Sequence, residues 1–386
     1  MFDLLLRGGE IVDPGNGLTG LMDVAVDGGR VASVETSIRV DVAREVIDVT
    51  GYLVTPGLID MHAHVFAGQD LGVDVDRCGA ATGVTTLVDA GSSGAHLFGA
   101  FRRSAVERTE QRILALLNIS TIGTTSIRLA RELEDLRYSS IEDCVNCLLG
   151  NDDILVGVKA RIEDAAVGRN GLEPLRRARI AADKAGKLLM VHIGDNPPEL
   201  REILSFLRTG DIVTHCCTGW GNRLIDSTGR IRPEVLAARE RGVAFDVGHG
   251  MGSFDATVAS VMLGNEFVPD TISTDIHAYS ISTVIGLPTV MSGFLALGMS
   301  LHDVVLRTTS TPALLLGHPE LGSLAPGSVA DIAVFALERG ECTFRDTSGQ
   351  EYEGDRSLIP VMTLRSGTVV HDSRSLRAGI SPGAAR

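Results

Sequence analysis

The chain has 386 residues, 44% apolar and 22% charged, with 35 Lys plus Arg against 49 Asp plus Glu and a formal net charge of −14. That length calls for one large barrel or two domains, and the composition is that of an ordinary globular protein rather than a disordered one. The negative balance repels phosphate backbones and anionic bilayers, which argues against nucleic acid and membrane as partners.

Residues 1–54 read as short strands at 2–7, 11–12, 23–26, 30–34 and 44–48, with a hairpin-type turn at Asp27-Gly28-Gly29. The first residues lack a signal-peptide layout, and no apolar run is as long as a membrane span, so a cytoplasmic protein is expected. From Thr55 the texture becomes apolar strand then amphipathic helix, repeatedly. Eight strands are predicted, at 57–62, 85–90, 113–119, 154–162, 188–193, 212–216, 244–247 and 271–274. Helical patterns fall at 172–185, 198–207, 233–241, 255–263 and 283–297. Strands that are apolar on both faces and alternate with helices indicate a parallel sheet. Eight such units over 55–319 suit a (β/α)8 TIM barrel in an α/β protein. An open doubly wound sheet is the rival, but no G-x-G-x-x-G follows any strand.

After a helical stretch at 312–316 the chain returns to strands at 328–335, 342–345, 358–364 and 368–371. The simplest arrangement pairs residues 320–386 with 1–54 in one small discontinuous β-sandwich domain. Residues 378–386 read as a frayed end. The six cysteines (Cys78, Cys144, Cys147, Cys216, Cys217 and Cys342) show no framework spacing, as expected of a reducing compartment. Cys144 and Cys147 have C-x-x-C spacing, but they lie in a helical pattern over 140–150, and burial is the better reading.

Active sites of barrels sit at the C-terminal ends of strands. Strand one ends in Asp60-Met61-His62-Ala63-His64, where alternate side chains share a face and His62 and His64 point together. Strand four carries Lys159, strand five His192, strand six His215, strand seven His249, and strand eight Asp275 followed by His277. Imidazoles and a carboxylate converging there suit a divalent metal of the zinc type.

In these residues the chain resembles the amidohydrolase superfamily, through Asp60-x-His62-x-His64 after Pro56-Gly57, Lys159, the two following histidines and Ser273-Thr274-Asp275. The Ala330-Asp331-Ile332-Ala333-Val334-Phe335 return to β structure is similar as well. The resemblance implies a hydrolase with two zinc ions. His62, His64 and Asp275 would hold the buried ion, His192 and His215 the outer one, and Lys159 as N6-carboxylysine would bridge them. An ammonium has no lone pair and repels dications, whereas its carboxylated form is an anionic oxygen ligand. Such a centre supplies a nucleophilic water near neutral pH, with Asp275 as general base and acid.

Dihydroorotases of this superfamily carry an arginine two residues after the second histidine, where this chain has Phe66. Arg161 instead shares a face with Lys159, and a substrate carboxylate is its best geometric match; the alternative is a rim arginine paired with Glu163 or Asp164. Ser92 and Ser93 after strand two, His249 and Gly250 on loop seven, and His277 are expected to line the substrate pocket, with Trp220 as a wall. The pattern is similar to a deacetylase and esterase group acting on acetylated 2-hydroxy acids. The expected reaction is hydrolysis of an ester or amide of a small carboxylate-bearing substrate, such as an acetylated 2-hydroxy acid or an N-acyl amino acid. A cyclic amidohydrolase of the dihydroorotase or hydantoinase kind is the enzymatic alternative, and a non-catalytic barrel scaffold the other. The expected partner is a small molecule, and self-association into a homo-oligomer is compatible with this reading.

Overall fold

Apolar residues on both faces of successive strands leave no face for water, and in the computed structural model, which describes residues 1–127, 129–284 and 286–377, these strands form the wall of a barrel. Leu58–Ala63, Val84–Gly94, Arg112–Asn118, Leu155–Ile162, Leu188–Ile193, Ile212–Thr214 and Ala244–Asp246 lie side by side in chain order, all parallel. The eighth segment closes the ring through two parallel bridges, Asp246 with Thr271 and Ala63 with Ile276. The Val247 amide donates to the Thr271 carbonyl at 3.1 Å, and the Asp275 amide to that of His62 at 2.7 Å. The chain therefore has a TIM-barrel fold.

Five of the helices predicted outside the wall are present: Glu173–Ala185, Leu200–Ser205, Pro233–Glu240, Ala256–Gly264 and Leu287–Ala296. The first shows why. Pro174 sits in its opening turn, where no amide partner is missed, and Gly186 ends it at φ 64, where glycine takes the left-handed turn without strain. Its buried stripe, Leu175, Ala178 and Ala182, follows the helical period. The first crossover departs from the regular alternation. It holds only the short 3-10 turns Val75–Arg77 and Ala80–Thr82, because Gly68, Gly72, Gly79 and Gly83 interrupt any longer helix.

Val88, Leu116, Met190, Ile212 and Ala244 belong to one core cluster although their strands are spread around the wall, so they meet in the barrel interior. Ala313, Leu316 and Leu321, on and after the helix Ser310–Leu315, join that cluster and close the N-terminal end. Two residues further along the same strand faces stand His192, Thr214 and Asp246. A strand period of two thus puts an apolar floor beneath a polar layer.

Both termini build the second unit, one eight-stranded mixed sheet. Its strands are Phe2–Asp13, Leu18–Asp27, Arg30–Glu35, Ala43–Asp48 and Leu53–Pro56 with Ile332–Arg345, Glu351–Arg365 and Thr368–Asp372. Leu6, Val24, Val54, Ile332 and Met362 share its core. The strands are longer than the sequence predicts: the first runs through a register shift between Leu6 and Gly9 instead of breaking. Leu53–Pro56 also lies in this sheet, so the chain passes into the barrel at Gly57. The hairpin Ile332–Arg345 and Glu351–Arg365 reaches the barrel mouth, where Thr347 exchanges hydrogen bonds with the backbone of Phe254 and Asp346 accepts the Ala256 amide at 3.2 Å. The predicted frayed end, 378–386, lies outside the described residues. No helix among the described residues is long and apolar enough to cross a membrane, and all six cysteines are free.

Candidate metal centre

Six strand-end side chains converge on the floor of the mouth. His62 Nε2 lies 3.2 Å from Asp275 Oδ1, and His64 Nε2 lies 3.3 Å from the same oxygen. Lys159 Nζ stands 3.0 Å from His62 Nε2, and His215 Nε2 stands 2.8 Å from His192 Nδ1. One ligand atom each from His62, His215 and Asp275 fall within 4.8 Å of one another. His62, His64, Lys159, His215 and Asp275 are buried, and His192 is nearly so.

Backbone geometry contributes. His215 follows Thr214 directly, so simple alternation would send it to the opposite side of the wall. It reaches the same site because its φ is 71°; Asp275 likewise has φ 47°. Left-handed backbone is costly for residues with a Cβ, and such outliers gather at functional sites.

Hydrogen bonds around the cluster fix which ring nitrogens face it. The Thr214 hydroxyl donates its one proton to Asp246 Oδ2 at 2.7 Å, so it must accept the bond from His62 Nδ1 at 2.9 Å. His215 Nδ1 faces the Gly248 carbonyl at 2.7 Å, and a carbonyl only accepts. Both rings therefore carry their proton on Nδ1 and turn a bare Nε2 lone pair inward. His64 is held from behind by Ser92 Oγ at 2.8 Å. Asp246 in turn accepts from Thr271 at 2.6 Å and from Ser273. Asp60 accepts from the Thr274 amide at 3.0 Å and its hydroxyl at 2.6 Å. These outer partners turn the Nε2 lone pairs of His62 and His215 inward toward the cluster around the Asp275 carboxylate, an arrangement that suits a cation. The donor set, nitrogen and oxygen with anchored outer shells, fits a divalent metal of the zinc type.

The electrostatics point the same way. Burial, with Lys159 nearby, holds the His62 imidazole well below its ordinary value, and burial beside His192 does so for His215. Both are therefore neutral at pH 7. Burial also lowers Lys159 to about 8. For Asp275, burial works against the charge, but His62, the bond from His64, His277 and His215 keep its carboxyl well below the usual range.

The residues expected to touch substrate fare differently. Arg161 is not open to a substrate carboxylate: its guanidinium is spanned by Glu132 at 2.9 Å and Glu163 at 2.6 Å. Ser92 is engaged with His64, and Ser93 is buried and donates to the Gly94 carbonyl at 2.9 Å, so neither hydroxyl faces the mouth free. Gly250 abuts the centre, where an added Cβ would lie 2.4 Å from Asp275 Oδ2. His249 stacks on Phe254 at 4.5 Å and lines a cavity of about 440 Å³ shared with Val290, Phe344 and Tyr352. His277 Nδ1 accepts the Tyr279 amide at 3.2 Å, which puts its proton on Nε2 as a donor. Trp220 is half exposed and donates to the Gly252 carbonyl at 2.6 Å. Phe66 packs edge-to-face on Phe101 at 5.4 Å, in the core rather than in the mouth. Sequence reasoning overlooked Thr214, Asp246 and Glu132, whereas the pairing of Arg161 with Glu163 is the alternative it offered. Asp246, two residues beyond Ala244 on an inward face, was the one with a readable signal.

No protein-family profile matches the chain. It is 33% identical over 356 residues to a deacetylase of Agrobacterium fabrum, covering 91% of this chain and 87% of that protein. A deacetylase of Enterococcus faecalis is 32% identical over 374 residues, 95% of this chain and 99% of the relative. Among solved structures, one described as an adenine deaminase superposes with a TM-score of 0.90 at 30% identity, covering 96% of this chain and 100% of its own. Another, described as a dihydroorotase, gives 0.88 at 30% identity over 96% and 98%. With the barrel, the strand-end cluster and relatives of this extent, the chain belongs to the amidohydrolase superfamily of hydrolases, alongside its deacetylase group.

Proposed function

We propose that the protein is a zinc-dependent deacylase that hydrolyses an ester or amide bond of a small acylated compound, such as an acetylated 2-hydroxy acid or an N-acyl amino acid. The observation that carries this reading is the convergence of His62, His64, His192 and His215 on Asp275 and Lys159, with the Nε2 lone pairs of His62 and His215 turned inward. Two full-length relatives named deacetylase support acyl transfer to water as the reaction.

In this reading His62, His64 and Asp275 hold one ion and His192 and His215 the other. When bound, the pair lowers the pKa of a water and polarises the acyl carbonyl. Lys159 forms a carbamate: its neutral amine adds to carbon dioxide, loses a proton and presents an anionic oxygen. A buried amine that titrates near 8 is neutral often enough at physiological pH for that addition. Asp275, ionised at neutral pH, accepts a proton from the attacking water and passes it to the departing oxygen or nitrogen. His277, with its proton on Nε2, offers a hydrogen-bond donor beside the centre. In this reading Arg161 does not grip the substrate carboxylate, because Glu132 and Glu163 already occupy its guanidinium. The cyclic amidohydrolase reading is weaker, since Phe66 lies in the core where a dihydroorotase has its arginine.

A panel of acetyl esters, N-acetyl amino acids, dihydroorotate and hydantoins tests the reading. Release of acetate from at least one acyl compound, with dihydroorotate and hydantoins inert, is expected. Turnover of the cyclic amides alone would overturn it.

A further inference from the structure

Outside the six cluster residues lies a buried chain of charge that the chemistry above leaves unused. Arg161 stands between Glu132 and Glu163, at 2.9 and 2.6 Å. Glu163 Oε1 in turn lies 3.4 Å from His192 Nε2. A carboxylate at neutral pH only accepts, so at this distance Glu163 favours a His192 proton on Nε2 and a lone pair on Nδ1. That Nδ1 is the atom 2.8 Å from His215 Nε2, whose own proton is held on Nδ1 by the Gly248 carbonyl. Two lone pairs then face each other, and only a cation makes the contact favourable. The backbone is built to allow this. A Cβ on Gly194 would come within 2.2 Å of Glu163 Oε2, and Gly194 is glycine for that space rather than for a left-handed turn.

We propose that Glu163 is the positioning residue of His192: braced by Arg161 and Glu132, its carboxylate takes the Nε2–H and turns Nδ1 toward the metal position shared with His215. A carboxylate behind a ligand histidine fixes the tautomer and raises the ring's basicity, and losing such a partner costs about 10–100-fold in metal affinity. The inference rests on the metal-centre reading above and adds one residue to it. It also gives Arg161 a role, since without its charge two buried carboxylates would repel each other beside the ring.

The test is zinc binding to metal-depleted full-length protein in competition with a chromophoric chelator, together with ¹⁵N-histidine NMR of the loaded form. Wild type should bind two equivalents, with His192 protonated at Nε2. Glu163→Ala should bind the first equivalent as wild type does and the second 10–100-fold more weakly, with the Nε2–H signal of His192 lost. Glu163→Gln keeps an oxygen acceptor and should recover most of that loss, which a merely structural role would not predict. Gly194→Ala leaves every charge in place and displaces only the carboxylate; it should weaken the second equivalent too, and it decides the matter if Glu163→Ala fails to fold. Unchanged affinity for both equivalents in Glu163→Ala, or in Gly194→Ala where that variant decides, would overturn the role of Glu163 alone. Fewer than two equivalents in wild type would instead overturn the two-ion reading, and this proposal with it.

Discussion

Lys159 and Arg161 share one face of the fourth barrel strand, two residues apart, yet their neighbours give them opposite chemistry. Lys159 is buried without a carboxylate in hydrogen-bond contact, and burial brings its pKa down to about 8. Below that value the ammonium form, which cannot add to carbon dioxide, predominates, and above it the neutral amine does. Metal-depleted protein given zinc at a fixed concentration of dissolved carbon dioxide should therefore regain activity several-fold faster at pH 8.5 than at pH 6.5. Equal rates at the two values would show that no amine titrates in that window. Arg161, by contrast, neutralises Glu132 and Glu163. Arg161→Met leaves both carboxylates buried without their cation and should cost about 3–5 kcal/mol in urea unfolding. Its effect on kcat/KM should be the same for a substrate acid and for its neutral methyl ester. A loss confined to the acid would return Arg161 to substrate binding. Asp275→Asn keeps an oxygen ligand but removes the proton acceptor, so kcat should fall by about 10²–10⁴ with metal content unchanged. A drop of less than tenfold would place the proton transfer on another group.

The strands and helices divide into those whose own residues announce them and those that depend on distant partners. The seven barrel strands and the helix Glu173–Ala185 were legible because burial on two faces or on one helical stripe leaves a direct mark on the residue pattern, whereas the eighth segment, read as a strand at 271–274, pairs only through isolated bridges. His62, His64, Lys159, His192, His215 and Asp275 were legible because each polar side chain ends an apolar run. The fate of Arg161 was not, since Glu132 belongs to the connection after strand three and meets it only once the barrel closes. Ser92 was misread for the same reason: a hydroxyl in a small-residue loop looks free until His64 is placed behind it. The long hairpin was legible in part. Strands are read at 328–335, 342–345 and 358–364, but Glu338, Arg339 and Glu341 between the first two are polar and exposed and leave no mark that the hairpin's first strand is continuous. Its tip docks on loop seven, where the Thr347 hydroxyl donates to the Phe254 carbonyl at 2.6 Å and accepts its amide at 3.2 Å. Phe254 also backs His249. Thr347→Ala should loosen that joint by about 1 kcal/mol, read as roughly fivefold faster hydrogen exchange at the Phe254 amide. Unaltered exchange would mean that the strand ladder alone holds the tip.

Across the whole molecule, two units cooperate on one mouth. The barrel gathers the six side chains on its polar layer, the helix Ser310–Leu315 closes its floor, and the terminal sheet sends its hairpin to loop seven. Bound metal would tie strands one, four, five, six and eight together, so chelation should lower the melting temperature and zinc should restore it. Binding at a hundred times its dissociation constant contributes about 2.7 kcal/mol of stability. The central claim, that these six residues form a metal centre for acyl hydrolysis, is tested most directly by elemental analysis of the purified protein alongside its esterase rate. Close to two zinc-type ions per chain are predicted in the wild type, with both metal and activity lost together in Lys159→Ala. Hydrolysis at the wild-type rate by a metal-free protein, or by a Lys159→Ala variant with undiminished metal, would contradict the account.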